Sequence, residues 1–416
     1  MTRLKSRRLA RGAAALAAGV TMTVFVVPVA SADQSRDQQW ALKSFEVESK
    51  VWPVSQGDGV IVGVIDTGVN QDHQDLTGQV LSGADFSGGN TDGRVDSDGH
   101  GTGMASLIAG HGHGGQTGVM GLAPKAKILP VRVTTDADSS SPPTDPGASQ
   151  RPDTIQNELA AAIRFAVDHG AKVVNISLAG SYRWDSQLRK AVNYAVSKDI
   201  VLVAGAGNTG SSLGAGYPAA FPGVVAVGAV DSSGAVWEQS TSGPEMTLVA
   251  PGVGIYHASA KSPTSYVTAN GTSDSTAYVS ATAALIRSKY PDLSAGQVIN
   301  RMIKSATPPA NGTVVPNNQY GYGLVAPAKA LEVNPAVDNG PRENPLVGRM
   351  EAKGTPPPVD EETDDPAVEP MVPEGDRGSS DSGVWLVLGA GVGGLVLVVG
   401  VVVAVVVRRR GRGSYQ

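Results

Sequence analysis

The sequence predicts an α/β protein with a mainly parallel central sheet and helices on both of its faces. Three observations carry that prediction. Short apolar runs such as Gly59-Val60-Ile61-Val62-Gly63-Val64-Ile65 have no polar alternation, as expected of strands buried on both faces. Similar runs recur at Lys127 to Val133, Lys172 to Leu178, Ile200 to Ala206 and Val224 to Val230, with helical patterns at Thr154 to His169 and Trp184 to Ser197 between them. That alternation is the rhythm of parallel strands joined by crossover helices. The composition, rich in Gly, Ala and Val and poor in aromatics, suits close packing of helices on such a sheet.

The domain accounts for only part of the 416 residues. Residues 1–32 have a basic start, an apolar run from Ala13 to Val29 and the small-residue close Ala30-Ser31-Ala32, the pattern of a secretory signal peptide. The residues after Arg7-Arg8 match a twin-arginine signal poorly, so the general secretory route is expected, with a mature start near Asp33. Residues 33–333 form the folded domain, opened by a polar segment to Gln56 in which Trp40, Leu42, Phe45 and Trp52 are spaced to wrap onto it. Residues 334–383 are Pro-rich and acidic and cannot bury a core, so they read as an extended tether. Val384 to Val407 is apolar throughout, about 24 residues and enough to cross a bilayer as one helix. The basic tail 408–416 follows at once, which by the positive-inside rule puts the tail in the cytoplasm and the domain outside.

Composition excludes several functions. There is no cysteine, hence no disulfide, thiol nucleophile or thiolate metal site. The net charge is −5, with no basic stripe or stacking aromatics, so nucleic acid is not an expected partner.

Within the domain, three stretches carry chemistry. Asp66 ends the first buried strand, where open α/β sheets place their sites. His100 lies between Gly99 and Gly101 at the start of a small-residue helical pattern, so backbone can approach the imidazole closely. Ser273 follows Asn270-Gly271-Thr272 at the start of a helix to Tyr290, where free N–H groups favour a developing oxyanion. Each has an ordinary reading as a turn acid, a structural histidine or a cap. Together, in the order Asp, His, Ser, they match one known chain order of the hydrolytic triad. Ser294 with Gln297 forms a candidate capping box for a helix to Ala306. Thr134 to Asp153 is a long Asp/Ser/Pro loop, expected to overhang the cleft.

Asp66-Thr67-Gly68, His100-Gly101-Thr102 and Gly271-Thr272-Ser273 resemble the three signature blocks of the subtilase (subtilisin-like, S8) serine peptidases. Ala206-Gly207-Asn208 resembles the block supplying that family's oxyanion asparagine, and Ser177-Leu178-Ala179-Gly180 the strand that pairs with substrate. The resemblance implies a subtilisin-like three-layer fold and a serine endopeptidase. Ser273 would be nucleophile, His100 base, Asp66 its orienter and Asn208 the oxyanion donor. Ser177, Leu178, Ala179, Gly180 and Gly207 would bind the substrate backbone, and Ala204 to Thr209 with Leu213 would shape the first specificity pocket. Gln39-Trp40, Trp52-Pro53, the tether and the membrane helix are similar to the mycosins, membrane-anchored subtilases of actinobacterial type VII secretion. Components of such a secretion system are then the implied partners, besides protein or peptide substrates. A general surface-processing protease and an inactive scaffold of a membrane complex are the alternatives.

Asp274 and Tyr278 depart from the family pattern, in which the nucleophile is usually followed by Met-Ala-Ala-Pro and a histidine. Asp274 either raises the pKa of His100 or caps the helix. Only about thirty residues separate Asp33 from Asp66, too few for an independent pro-domain. No cofactor and no metal are expected. A structural calcium is left open at Asp75, which holds a position that ligates calcium in related subtilases. The loop His111-Gly112-His113-Gly114-Gly115 lacks the oxygen ligands that calcium prefers, and its two histidines lack a third zinc ligand.

Overall fold

The computed structural model describes residues 35–114, 117–133, 151–180 and 185–349, with the backbone alone for 151–156. The expected signal peptide, loop residues 134–150, the tether from 350, the membrane span Val384–Val407 and the tail lie outside the described residues. Among the described residues no helix is long and apolar enough to cross a membrane.

The chain opens with α1 (Ser35–Gln38), α2 (Trp40–Ser44) and one π-type turn (Val47–Val51). These short elements hold by docking, since Leu42, Val47 and Val51 are buried in the main core. Both indoles donate across the chain, Trp40 Nε1 to the Val253 carbonyl at 3.1 Å and Trp52 Nε1 to that of Leu122 at 3.1 Å. The segment is wrapped onto the domain, as its spaced aromatics suggest.

Next come β1 (Ile61–Asp66), β2 (Ala84–Asp85), α3 (His100–Ala109), β3 (Lys127–Arg132), α4 (Arg151–Asp168), β4 (Val173–Ile176), α5 (Ser186–Ser197), β5 (Val201–Gly205), β6 (Val225–Val230) and β7 (Met246–Pro251). The seven strands form one sheet in the order β2-β3-β1-β4-β5-β6-β7, every pair parallel. β1 lies between β3 and β4, so the chain leaves it to one side and returns on the other. That reversal opens a crevice at the carboxyl end of β1, where Asp66 stands.

Alternate residues feed two cores. Val62, Val64, Val201, Val203, Val225 and Val227 face one, and Ile65, Val174, Leu202, Ala204 and Ala226 the other. The strands are buried on both faces, which is why they read as continuous apolar runs. α4 and α5 cover the second face; α3 covers the first with α6 (Thr272–Lys289) and α7 (Ala295–Ser305). A hairpin of β8 (Ile255–Ala258) and β9 (Tyr266–Ala269) precedes α6. Ser294 caps α7 with Gln297 in the expected capping box.

α6 crosses the middle of the first face and is buried almost all round. Ala277, Ala281 and Ala284 let it approach the strands, and two of its threonine hydroxyls bond back within the helix. Thr276 bonds the Thr272 carbonyl at 2.7 Å and Thr282 that of Tyr278 at 2.8 Å.

The chain stays on the domain beyond Asn334, where the sequence had it becoming tether. α8 (Pro327–Ala330) and α9 (Pro335–Asp338) follow α7, and Val337 and Leu346 are buried. Asp338 receives both Arg301 Nε and Nη2 at 2.6 Å, while Arg349 donates to the carbonyls of Ala219, Phe221 and Glu245. Two isolated apolar residues and two arginines hold this strap, a pattern without periodicity.

Candidate active site

Asp66, His100 and Ser273 arrive at the crevice from β1, α3 and α6. Asp66 is fully buried; its Oδ1 accepts the Thr67 N–H at 2.8 Å and His100 Nδ1 at 2.7 Å. The bond fixes the tautomer, with the proton on Nδ1 and Nε2 turned to the cleft. His100 keeps 34% of its side chain exposed. Burial pulls its pKa down, but the Asp66 charge and hydrogen bond, with lesser help from Asp274 and Asp98, outweigh it and raise the pKa to about 9.

The loop before α3 is organised by Asp96, which the sequence reading passed over. Its Oδ1 takes the Thr67 hydroxyl at 3.0 Å and the Gly99 N–H at 2.8 Å, and its Oδ2 takes the Thr102 N–H at 2.9 Å. Asp96 thus ties the carboxyl end of β1 to the first turn of α3. Two glycines of that turn are required by what lies against them. A Cβ on Gly101 would sit 2.1 Å from the Gly68 carbonyl oxygen, and one on Gly103 would sit 2.5 Å from the ring of His257.

Ser273 stands in the first turn of α6. Its Oγ donates to the Ser177 carbonyl at 3.3 Å, and the Ser177 hydroxyl donates back to the Ser273 carbonyl at 3.2 Å. In this state the Ser273 hydroxyl faces the substrate strand and makes no bond to His100. A buried relay supports the pair, with Ser280 Oγ on Asn175 Oδ1 at 2.9 Å and Asn175 Nδ2 on Ser177 Oγ at 3.0 Å. Asn175, polar in the middle of β4, is the signal that would have revealed it.

Asn208 is oriented by α6 itself. Its Oδ1 accepts the Thr272 N–H at 3.0 Å and the Thr272 hydroxyl at 2.9 Å. An N–H can only donate, so the amide oxygen must face Thr272 and the NH2 is left for the cleft. Together with the Ser273 N–H it can cradle an oxyanion.

A cavity of about 560 Å³ opens beside these groups, lined by Ser177 to Gly180, Gly205 to Thr209, Gly214 to Tyr217, Thr241 and Ser273. Its lining carries no charge. Of the expected substrate strand, Ser177 is engaged with Ser273, and Gly180 spends its N–H and carbonyl on Tyr217 at 3.0 and 2.9 Å. Leu178 and Ala179 between them remain the backbone positions open to an extended peptide. Gly207, with φ of 109°, turns the chain under the pocket. Two residues expected in the specificity pocket are elsewhere. Leu213 is 89% exposed and projects away, because a Ser/Gly-rich turn carries it, and Ala204 faces the sheet core.

Asp274 is buried behind Ser273 with only 2% of its surface exposed. Its Oδ1 has no hydrogen bond and lies 3.5 Å from His257 Nε2. Burial raises its pKa to about 7, against the pull of His100. Tyr278, one turn on, packs edge-on against Phe45 of the N-terminal wrap with ring centres 5.7 Å apart.

Calcium finds no fit at Asp75. Its Oδ1 takes His113 Nδ1 at 2.6 Å, and its Oδ2 takes the Val119 N–H at 2.9 Å and the Tyr266 hydroxyl at 2.8 Å. Both oxygens are occupied by protein donors, and among the described residues no three His, Asp or Glu side chains gather as a metal site.

The family profile described as Subtilase family matches residues 57–323. Subtilisin DY from Bacillus licheniformis is 38% identical over 276 residues, 65% of this chain and 90% of that protein. Mycosin-1 from Mycolicibacterium smegmatis is 31% identical over 403 residues, 86% of this chain and 84% of that protein. Among solved structures, MycP1 from Mycobacterium smegmatis superposes with a TM-score of 0.64 at 31% identity, covering 76% of this chain and 89% of that one. MycP3 protease from the type VII (ESX-3) secretion system gives 0.62 at 35% identity, covering 71% and 88%. The profile runs from the wrap's end through the nucleophile helix, and with it the chain belongs to the subtilase family of serine proteases, related to the mycosins.

Proposed function

We propose that this serine protease cleaves peptide bonds with Ser273 as nucleophile, His100 as general base and acid, Asp66 as orienter and Asn208 as oxyanion donor. The observation that carries the assignment is the 2.7 Å bond from His100 to a fully buried Asp66, beside a serine at a helix N-terminus. An extended peptide runs along Leu178 and Ala179, supplying main-chain pairing with little side-chain demand. The Ser273 hydroxyl leaves the Ser177 carbonyl and turns to His100 Nε2, which takes its proton as Oγ attacks the carbonyl carbon. Asn208 Nδ2 and the Ser273 N–H hold the oxyanion; His100 then protonates the leaving amine, and water releases the acyl group by the reverse steps. The imidazole must be neutral to act, and the Asp66 charge that orients it also raises its pKa, so activity is expected to rise with pH.

The enzyme works outside the cytoplasm, held by the span Val384–Val407, and serves a type VII secretion system. Similarity to Mycosin-1 over 86% of this chain, more than the peptidase domain alone, supports that part of the reading.

Reaction with a fluorophosphonate probe tests the chemistry. The parent enzyme labels and Ser273→Ala does not; labelling that survives the substitution would move the nucleophile elsewhere. Co-purification of the intact protein with membrane secretion components tests the partner separately, and retention of that binding by an unlabelled parent would favour a scaffold.

A further inference from the structure

A second carboxylate and imidazole lie directly behind the first pair, and the peptidase mechanism uses neither. His257 on β8 is 4% exposed and rests against Gly103, one turn after His100 on α3. Its Nδ1 is 2.7 Å from the Ala258 carbonyl oxygen. A carbonyl only accepts, so Nδ1 carries the ring's proton and Nε2 presents a lone pair. Its Nε2 lies 3.5 Å from Asp274 Oδ1, an oxygen without a hydrogen bond. Two acceptors facing one another in a dry site need a proton between them.

We propose that Asp274 and His257 are a proton-sharing positioning pair for the triad: Asp274 carries a proton aimed at His257 Nε2 in the resting enzyme, and releasing it to solvent adds a charge that holds His100 protonated.

The electrostatics agree with the geometry. Burial lowers the His257 pKa to about 4, only partly offset by the Ala258 bond and reinforced by His100, so this ring stays neutral. Burial raises that of Asp274 to about 7, so the carboxyl is the member that holds the proton near neutrality. The titratable groups facing the pair are His100 from α3 and Tyr278 from α6, whose phenol is held up by burial and by Asp274. His100 in turn faces Asp66 and Asp98. From β8 itself, the Ala258 N–H donates to Ser106 Oγ at 3.1 Å and fixes the strand on α3.

The proposal rests on Ser273 and His100 as nucleophile and base, and the pH dependence of fluorophosphonate inactivation separates the two claims. Absence of labelling in the parent would sink the nucleophile, whereas the shape of the profile reports the pair. Asp274→Asn keeps the shape and offers an N–H to His257 Nε2 without a charge. Its acid limb moves to lower pH by roughly one unit, so that below the limb it reacts about tenfold faster relative to its plateau than the parent. A limb that stays in place, or moves up, overturns the proposal. Should Asp274→Asn fail to fold, ¹⁵N-histidine spectra of the Ser273→Ala protein give a second reading, tractable with six histidines in the chain. His257 is expected as the neutral Nδ1–H tautomer down to about pH 5. An imidazolium at neutral pH, or an Nε2–H tautomer, overturns the pairing.

Discussion

The molecule sets an aspartate against a histidine twice within one site, and the two pairs end up in opposite states. Asp66 meets His100 at 2.7 Å with Thr67 donating to the same oxygen, and Asp274 meets His257 at 3.5 Å with no donor on the facing oxygen. His100 retains 34% exposure while the His257 side chain retains 5%. In the first pair the imidazole is pushed up to about 9; in the second the imidazole is pushed down to about 4 and the acid up to about 7. Residue type therefore does not decide which partner bears charge. The donors that reach the carboxylate, and the water that reaches the ring, decide it.

The largest test of that contrast is Asp66→Asn, which keeps the volume but presents an N–H to the ring and favours the wrong tautomer. A loss in kcat on the order of ten-thousandfold is expected, with fold and thermal midpoint kept. Asn208→Ala removes one oxyanion donor and also frees the Thr272 N–H. Turnover should fall by roughly a hundredfold to a thousandfold, mostly in kcat, as read by steady-state assay. Asp274 makes its prediction in stability. Its folded pKa is raised, so folding binds its proton, and the penalty for ionising it grows as pH rises from the ordinary value of 3.8 towards about 7. Asp274→Asn should gain on the parent over that window, by up to about 4 kcal/mol, and stay level above it in denaturant titrations. The smallest effect is expected from chelation. Asp75 is saturated by His113, Val119 and Tyr266, so EDTA should leave the thermal midpoint unchanged, whereas His113→Ala should cost about 1–3 kcal/mol.

The sequence exposed what is regular or glycine-marked and concealed what is held by single contacts. β1, β3, β4, β5 and β6 were legible because burial on both faces removes polar alternation. Their neighbour β7 was missed, since Met246 to Pro251 is interrupted by Thr247, ends in proline and follows the turn-like Ser242-Gly243-Pro244-Glu245. The hairpin β8/β9 was missed because β9 is half exposed and mixes Tyr266 and Val267 with Thr268. His257 went with it: no glycine flanks it, and the residue that accommodates it, Gly103, is more than 150 positions earlier. α4 starts at Arg151, earlier than Thr154, because proline is tolerated in a first turn whose N–H groups have no partner. Asp66 was read from its place at the end of a buried strand, His100 and Ser273 from glycine flanks before a helix, and Asn208 from its resemblance to a family block, whereas Asp96, Asn175 and Thr272 act through hydrogen bonds that leave no spacing to read.

The docking of the N-terminal wrap bears on when the enzyme becomes dangerous to its surroundings. Trp40 finds its acceptor 213 positions downstream, Ser55 finds the Leu285 carbonyl 230 positions downstream, and Phe45 closes on Tyr278 of the nucleophile helix. Contacts of such sequence separation form late, because their loop-closure entropy is met before any packing is gained. A chain emerging amino end first exposes its base and orienter long before its nucleophile, and carries the wrap without a partner until α6 appears. Proteolytic competence therefore requires the chain through α6, and a copy that ends before Ser273 lacks the nucleophile.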